Sequence, residues 1–350
     1  MTELSNWAEL NSDLLRAIYK ELDDPFDYIN FRAVCKSWKA AVLLCEHPPQ
    51  FPFLLERDPL IGSDFDVYSL HTGKTRRLHV LEARNKKFFG QSQGYLVTFQ
   101  VPSGEQNSCF PALLNPFTQT KVHLPFDSFN FYRPVYVGID PIRNTSNVVI
   151  VMRGPSTGRP YVGFWRSENN DWALKGSLPG YVETYHKGRL FCSEYENSCT
   201  KAIDLTTGNT ILEASFPTKR GFCSLVEGAG ALFGIAQFGV NVPGTPLEKC
   251  EFEVYRLDEN AKPPCWVKRS DIGDLMIFLN YNICHSDGFC LSASDFDGFS
   301  GNCIYFTKSN GMVGHYSQML IGRYDLGKNR SEVIDKRSCS NTTWILPNFY

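Results

Sequence analysis

The sequence predicts a mainly β chain headed by a small helical module, and three observations carry that prediction. An apolar strand, a polar turn and a second strand recur along most of the chain; four more strands begin directly after glycine; and helical periodicity is confined to roughly the first 45 residues. Aromatic residues make up 14% of the chain, and 27 Gly and 20 Pro supply turn punctuation, which suits many short strands. At 350 residues, one large domain plus a small one is the natural division.

The head is read first. Asn11 stands where a helix N-cap is wanted, and Asp13 falls in the first turn, where negative charge favours the helix dipole. Leu14, Leu15, Ile18, Tyr19 and Leu22 follow at helical spacing. Asp24 and Pro25 repeat the start signal, an acidic cap before proline at the first helical position. "FRAVCKSWKAAV" then places Phe31, Val34, Cys35 and Trp38 at i, i+3, i+4 and i+7, with Val42 a turn further on, and predicts one helix. Lys36 and Lys39 fall on its wet side.

Three short helices bury little by themselves, and domains below about 40 residues usually need a metal, disulfides or a partner. Trp7, Leu10, Leu14, Leu15 and Ile18, with Val34, Cys35 and Trp38, outnumber what such helices can mutually cover. Some of them must be buried elsewhere, against either the larger domain or a second protein.

Pro48, Pro49 and Pro52 end the helical pattern, so the domains are expected at 1–47 and 48–350. Beyond that boundary come "VYSLHTGKTRRLHV" from Val67, "LLNPFTQTKVHLP" from Leu113 and "GFWRSENNDWALKGSLP" from Gly163. "KAIDLTTGNTILEASFP" follows from Lys201, "FEVYRLDENAKPPCWVKRSDIG" from Phe252 and "IGRYDLGKNRSEVID" from Ile321. Further strands start at Gly94, Gly188, Gly230 and Gly301. The hairpins recur at intervals of roughly 40–70 residues, the range of propeller blades with loop insertions. A β-propeller of about six blades is therefore expected, because radial repetition protects the edges of many short strands. A β-sandwich is the alternative, although one sandwich seldom needs so long a chain.

Charge and composition exclude several classes of function. A formal net charge of −2 creates no field to gather nucleic acid or anionic membrane. The clusters at Lys74–Arg77 and Arg84–Lys87 read as solvated strand ends or loops. "MTELSNWAEL" lacks the basic region and apolar core of a signal peptide, and no apolar run reaches bilayer-spanning length. A cytosolic or nuclear location is expected, in which the 12 cysteines act as small buried hydrophobes and the sequons at Asn144, Asn329 and Asn341 carry no sugar. No C-x-x-C pair occurs, and "CHSDGFC" (Cys284–Cys290) lacks zinc-finger spacing, so neither metal nor cofactor is expected.

Catalytic patterns are also missing. "DFDGFSGN" (Asp295–Asn302) has two carboxylates beside glycine but none of the distal ligands of an EF-hand, and reads as a turn. "GPSTGRP" (Gly154–Pro160) lacks the Lys-Ser/Thr of a P-loop. His285 neighbours Ser286 and Asp287 in sequence, which supplies no spatial convergence. Phe129, Phe131, Tyr132 and Phe299 are aromatic residues at expected loop tips, where recognition anchors can sit.

Two stretches resemble known families. The first, residues 6–42, resembles an F-box, matching at Trp7, Leu10, Asp13, Leu14, Leu15, Ile18 and Leu22, and again at Phe31-Arg32-Ala33-Val34-Cys35-Lys36-Ser37-Trp38. The family usually has proline where Asn11 stands, a change that keeps a helix cap and bears on adaptor affinity. The second resembles the KIB-type β-propeller of plant F-box proteins, through "FPFLL", "GQSQGYLVTF", "LLNPFTQTKVHLP", "SASDFDGFSGNCIYFT", "GRYDLGK" and "WILPNF". Tyr95 stands where that family usually has tryptophan.

The resemblance implies a non-catalytic substrate receptor of an SCF-type ubiquitin ligase. Its adaptor-binding residues would be Trp7, Leu10, Leu14, Leu15, Ile18, Leu22, Val34, Cys35 and Trp38. Its partners would be a Skp-type adaptor, through it a cullin–RING ligase, and a target protein held on the propeller. Two alternatives stay open: an adaptor-independent scaffold, and an enzyme built on the propeller.

Overall fold

In the computed structural model, every one of the six expected hairpins is present, each as the last two strands of one sheet. The structure describes residues 7–42 except 23, 50–57, 63–100 except 85 and 93, 111–124, 137–140, 145–153, 160–166, 172–177 and 181–194. It further describes 198–204, 207, 209–217, 222–240, 242–280, 288–310, 318–339 and 341–347. The domain boundary expected at residue 47 lies outside the described residues, as do Asn144, residues 154–159, His285, Phe129, Phe131 and Tyr132.

A short 3-10 turn (Trp7–Glu9) precedes α1 (Ser12–Lys20), α2 (Pro25–Ala33) and α3 (Lys36–Ala41). Both start signals operate as the sequence suggests. Asn11 Oδ1 accepts the Asp13 N–H at 2.9 Å, and Asp24 Oδ1 accepts the Phe26 N–H at 2.9 Å. The single helix expected over Phe31–Val42 is instead two, because Cys35 is fully extended (φ −163, ψ 176) between α2 and α3. Contacts with other elements outweigh local periodicity here. Arg32 donates to Val42 O at 2.8 Å, Ser37 Oγ to Ala8 O at 2.8 Å, and Trp38 Nε1 to Trp7 O at 2.9 Å. Those bonds require α3 to turn back on the start of the chain.

The strands follow in chain order. The first sheet holds β1 (Phe53–Arg57), β2 (Asp64–Ser69) and β3 (Thr75–His79), and the second β4 (Lys86–Ser92), β5 (Tyr95–Gln100), β6 (Pro111–Leu114) and β7 (Lys121–His123). The third holds β8 (Val137–Asp140), β9 (Thr145–Arg153), β10 (Pro160–Arg166) and β11 (Trp172–Ser177). The fourth holds β12 (Tyr181–His186), β13 (Arg189–Glu194), β14 (Cys199–Asp204) and β15 (Thr210–Ser215). The fifth holds β16 (Phe222–Gly228), β17 (Ala231–Phe238), β18 (Glu251–Asp258) and β19 (Cys265–Arg269).

The sixth sheet departs from this plan. It contains β20 (Leu275–Leu279), β21 (Gly288–Ser292), β22 (Cys303–Ser309), β23 (Gln318–Asp325) and β24 (Arg330–Ser338) in the order β21-β20-β22-β23-β24. Here β20 and β22 run parallel, since β21 folds back outside β20 before the chain crosses to β22. Last, β25 (Asn341–Ile345) joins the first sheet beside β1, completing it as β25-β1-β2-β3. The expected count of about six blades is thus corrected to five regular four-stranded antiparallel blades, with the remaining sheet mixed and five-stranded.

End strands of neighbouring sheets meet, β25 with β4, β4 with β8, β12 with β16, and β16 with β21, which makes them the inner strands of a β-propeller. Between sheets the core is aromatic and aliphatic. Gly234 on β17 leaves the space in which the Phe216 ring lies, a carbon of which would sit 2.4 Å from any Cβ there. Four of the outer hairpins share a device: a side chain at the end of the third strand accepts turn amides. Asn115 Oδ1 takes Phe117 N–H (2.9 Å) and Thr118 N–H (3.1 Å); Asp204 takes Thr207 N–H (2.7 Å). Asp258 takes Asn260 N–H (3.0 Å), and Asp325 takes Lys328 N–H (3.0 Å).

Candidate functional site

The helices form their own small core of Leu15, Tyr19, Tyr28, Phe31, Ala41 and Val42, with Leu10, Leu22 and Trp38 packed partly against it. The Tyr19 and Tyr28 rings lie 4.8 Å apart, and Phe31 and Trp38 4.6 Å. This divides the nine residues singled out from sequence. Leu15 is 1% exposed and belongs to the core, whereas Trp7 (62%), Leu14 (56%), Val34 (54%) and Ile18 (37%) face outward. Leu10, Leu22, Cys35 and Trp38 are half-buried between the two groups. Four of the nine exposed large hydrophobic side chains among the described residues therefore belong to this one module.

The larger domain is met by other residues. Phe26 and Ile29 of α2 pack on the cluster that contains Phe53, Leu55, Phe117 and Ile345. The Phe26 ring centroid is 5.6 Å from that of Phe53 and 6.1 Å from that of Phe117. Arg76 on β3 lies over the Phe26 ring at 5.3 Å and donates to Asp24 Oδ2 at 2.5 Å. Sequence reasoning missed this contact, because Phe26 and Ile29 carry no more signal than any apolar pair on a short helix. The surplus apolar residues of the module are consequently not the ones that seat it.

The "DFDGFSGN" segment is a turn packed between β21 and β22. Phe296 and Phe299 lie against Phe51 at 5.2 and 4.1 Å, so Phe299 is a packing residue rather than an exposed anchor. Asp274 accepts from Ser292 Oγ and from both the Oγ–H and N–H of Ser294, which together hold its carboxyl below the usual carboxylate range. A Cβ at Gly301 would come within 2.5 Å of Asp274 Cα and of Gly273 O, so only glycine fits beneath this turn.

Residues 67–325 match the family model described as the KIB1-4 beta-propeller. The chain belongs to the KIB1-4 beta-propeller family. Curated relatives extend the likeness beyond the residues of the family model. An F-box/kelch-repeat protein of Arabidopsis thaliana is 25% identical, over 89% of this chain and 86% of its own length. F-box protein SKIP23 of Arabidopsis thaliana is 23% identical, over 95% of this chain and 92% of its own. A further Arabidopsis thaliana F-box protein is 23% identical, over 95% and 91% respectively.

On this KIB1-4 propeller, one group looks like hydrolytic machinery and is not built as such. Ser63 Oγ lies 3.2 Å from His79 Nδ1, and Asp64 bonds the same nitrogen. A catalytic triad needs the carboxylate on one ring nitrogen and the nucleophile on the other, so in this exposed trio Asp64 does not orient His79 to take the Ser63 proton. Among the described residues, no three His, Cys, Asp or Glu side chains gather as a metal site would require.

Proposed function

We propose that the chain is the substrate-recognition subunit of an SCF-type ubiquitin ligase, its helices docking a Skp-type adaptor and its propeller holding a target protein. The supporting observation is the outward apolar face of Trp7, Leu14, Ile18 and Val34 on a module that meets its own propeller through Phe26 and Ile29 instead. The F-box names of the relatives point the same way. In this reading the chain contributes proximity, bringing target lysines near the ubiquitin-carrying arm, and makes no bond itself. It works in the cytoplasm or nucleus. Asn11, in the place of the family's usual proline, caps α1 through its side chain, so the docking helix keeps its start.

The test is capture of purified adaptor by wild type and by Ile18→Glu/Val34→Glu. Both substitutions replace exposed side chains and leave the core intact. The double variant should lose adaptor while its melting temperature stays put. Equal capture by both proteins would sink the docking assignment and favour the adaptor-independent scaffold.

A further inference from the structure

The seat of the helical module is not made by one part of the chain. One buried cluster joins Phe53, Leu55, Phe65 and Val67 of the first sheet to Leu96, Leu114 and Phe117 of the second, and also contains Ile345 of β25. Phe26 and Ile29 rest on this cluster. Phe53, whose ring centroid lies 5.6 Å from that of Phe26, is the Cα partner of Ile345 in the β1–β25 ladder. β25 is fixed from its other side as well. Asn280, just after β20, accepts the Trp344 N–H through Oδ1 at 2.5 Å and donates through Nδ2 to Trp344 O at 3.4 Å. Arg337, at the end of β24, donates to Glu56 Oε2 (3.1 Å) on β1 and to Thr75 Oγ1 (2.8 Å) on β3. The sheet that carries the helices is therefore also the sheet that closes the ring.

The α2 start is tied to that same sheet. Asp24 caps the Phe26 N–H with one carboxylate oxygen and binds Arg76 with the other. A helix of this length gains most of its stability from what it packs on. We propose that ring closure by β25 and ordering of α2 are coupled, so that the docking helices are held in place only once β25 has paired with β1. β25 follows all the other described strands in sequence. A chain that has not yet made it has a propeller lacking one wall of the seat, and offers the adaptor a module that is not locked. The consequence for adaptor binding rests on the function proposed above; the coupling between β25 and α2 does not.

Hydrogen exchange of the full-length protein, read on α2 amides, tests the coupling without any adaptor. Ile345→Ala should speed α2 exchange by about tenfold or more, under conditions where the propeller remains folded. Ile277→Ala, equally buried but in the sixth sheet and in a different cluster, should leave α2 close to wild type. Ile345→Val removes a single methyl group, secures a folded ring, and should show the same ordering in smaller measure. Combining Phe26→Ala with Ile345→Ala should expose α2 no more than Phe26→Ala alone. Equal α2 exchange in the Ile345 and Ile277 variants, or effects of Phe26 and Ile345 that simply multiply, would overturn the coupling. Adaptor capture by wild type is measured separately, so a failure there removes the functional consequence and leaves the exchange result to decide the rest.

Discussion

Leu14 and Leu15 are neighbours on α1 with opposite surroundings, and truncating each to alanine separates folding from docking. Leu15, 1% exposed, sits in the helical core, and its loss should cost about 2–5 kcal/mol of local stability, the range for a buried leucine left as a cavity. Leu14 is 56% exposed, so Leu14→Ala should change stability by no more than about 0.5 kcal/mol. Burying a whole leucine side chain is worth about 1.5–3 kcal/mol, of which roughly half remains to be gained by Leu14 on docking. On the proposed function its loss should therefore weaken adaptor binding by about 0.8–1.5 kcal/mol, roughly a factor of 4–13 in Kd. Calorimetric titration with adaptor reads the second quantity, and urea unfolding followed through α1 exchange reads the first. Leu14→Ala binding as tightly as wild type while Leu15→Ala binds as a folded protein with reduced affinity would invert the assignment and refute the argument.

Three further expectations concern the propeller. Gly301→Ala should lower stability by about 1–3 kcal/mol, the range for overpacking, because the obstructing atoms belong to the backbone at Gly273 and Asp274; an unchanged melting temperature would contradict this. Lys308 is buried and donates to the carbonyls of Gly239 (2.8 Å), Val240 (2.6 Å) and Val242 (3.1 Å). Lys308→Met should cost at least about 3 kcal/mol in urea unfolding, since three acceptors lose their donor; a cost under half of that would mean that water replaces the ammonium. His186 is fully buried, and burial pushes its imidazolium below the ordinary value of 6.5 despite the pull of Glu227. The unfolded chain then binds the extra proton first, so stability should fall as pH drops from about 7 towards 5, and His186→Gln should flatten that slope. Identical slopes for the two proteins would remove His186 from the pH response.

Legibility in the sequence followed the turns. Four outer hairpins are readable because their turns carry a side-chain acceptor, Asn115, Asp204, Asp258 or Asp325, flanked by apolar strands. The strands starting at Gly94, Gly188, Gly230 and Gly301 are found as β5, β13, β17 and β22. The inner strands β4, β8, β12, β16, β21 and β25 are not among the strands that the sequence pattern marks. β25 is specified by a partner far away in sequence, β1, whereas β4, β8, β12, β16 and β21 pair with adjacent strands and are placed at the axis by packing between sheets. In the helical module the caps at Asn11 and Asp24 and the surplus of apolar residues were legible, but the break at Cys35 was not, since it depends on Ser37 and Trp38 reaching Ala8 and Trp7. The division of the candidate residues into core and exposed face likewise required the fold, because Leu14 and Leu15 differ only in the direction they point.

The three carbonyls around Lys308 have a consequence for reagents as well as for stability. An amine needs a free lone pair to attack an acylating group, and Lys308 is surrounded on every bonding direction by acceptors. Lys36 and Lys39, exposed on α3, have no such shelter. Under mild acylation the exposed pair should be modified at once, while Lys308 is modified only as fast as the carbonyls of Gly239, Val240 and Val242 release it. The modified fraction at Lys308 would then serve as an internal timer for how often that blade opens.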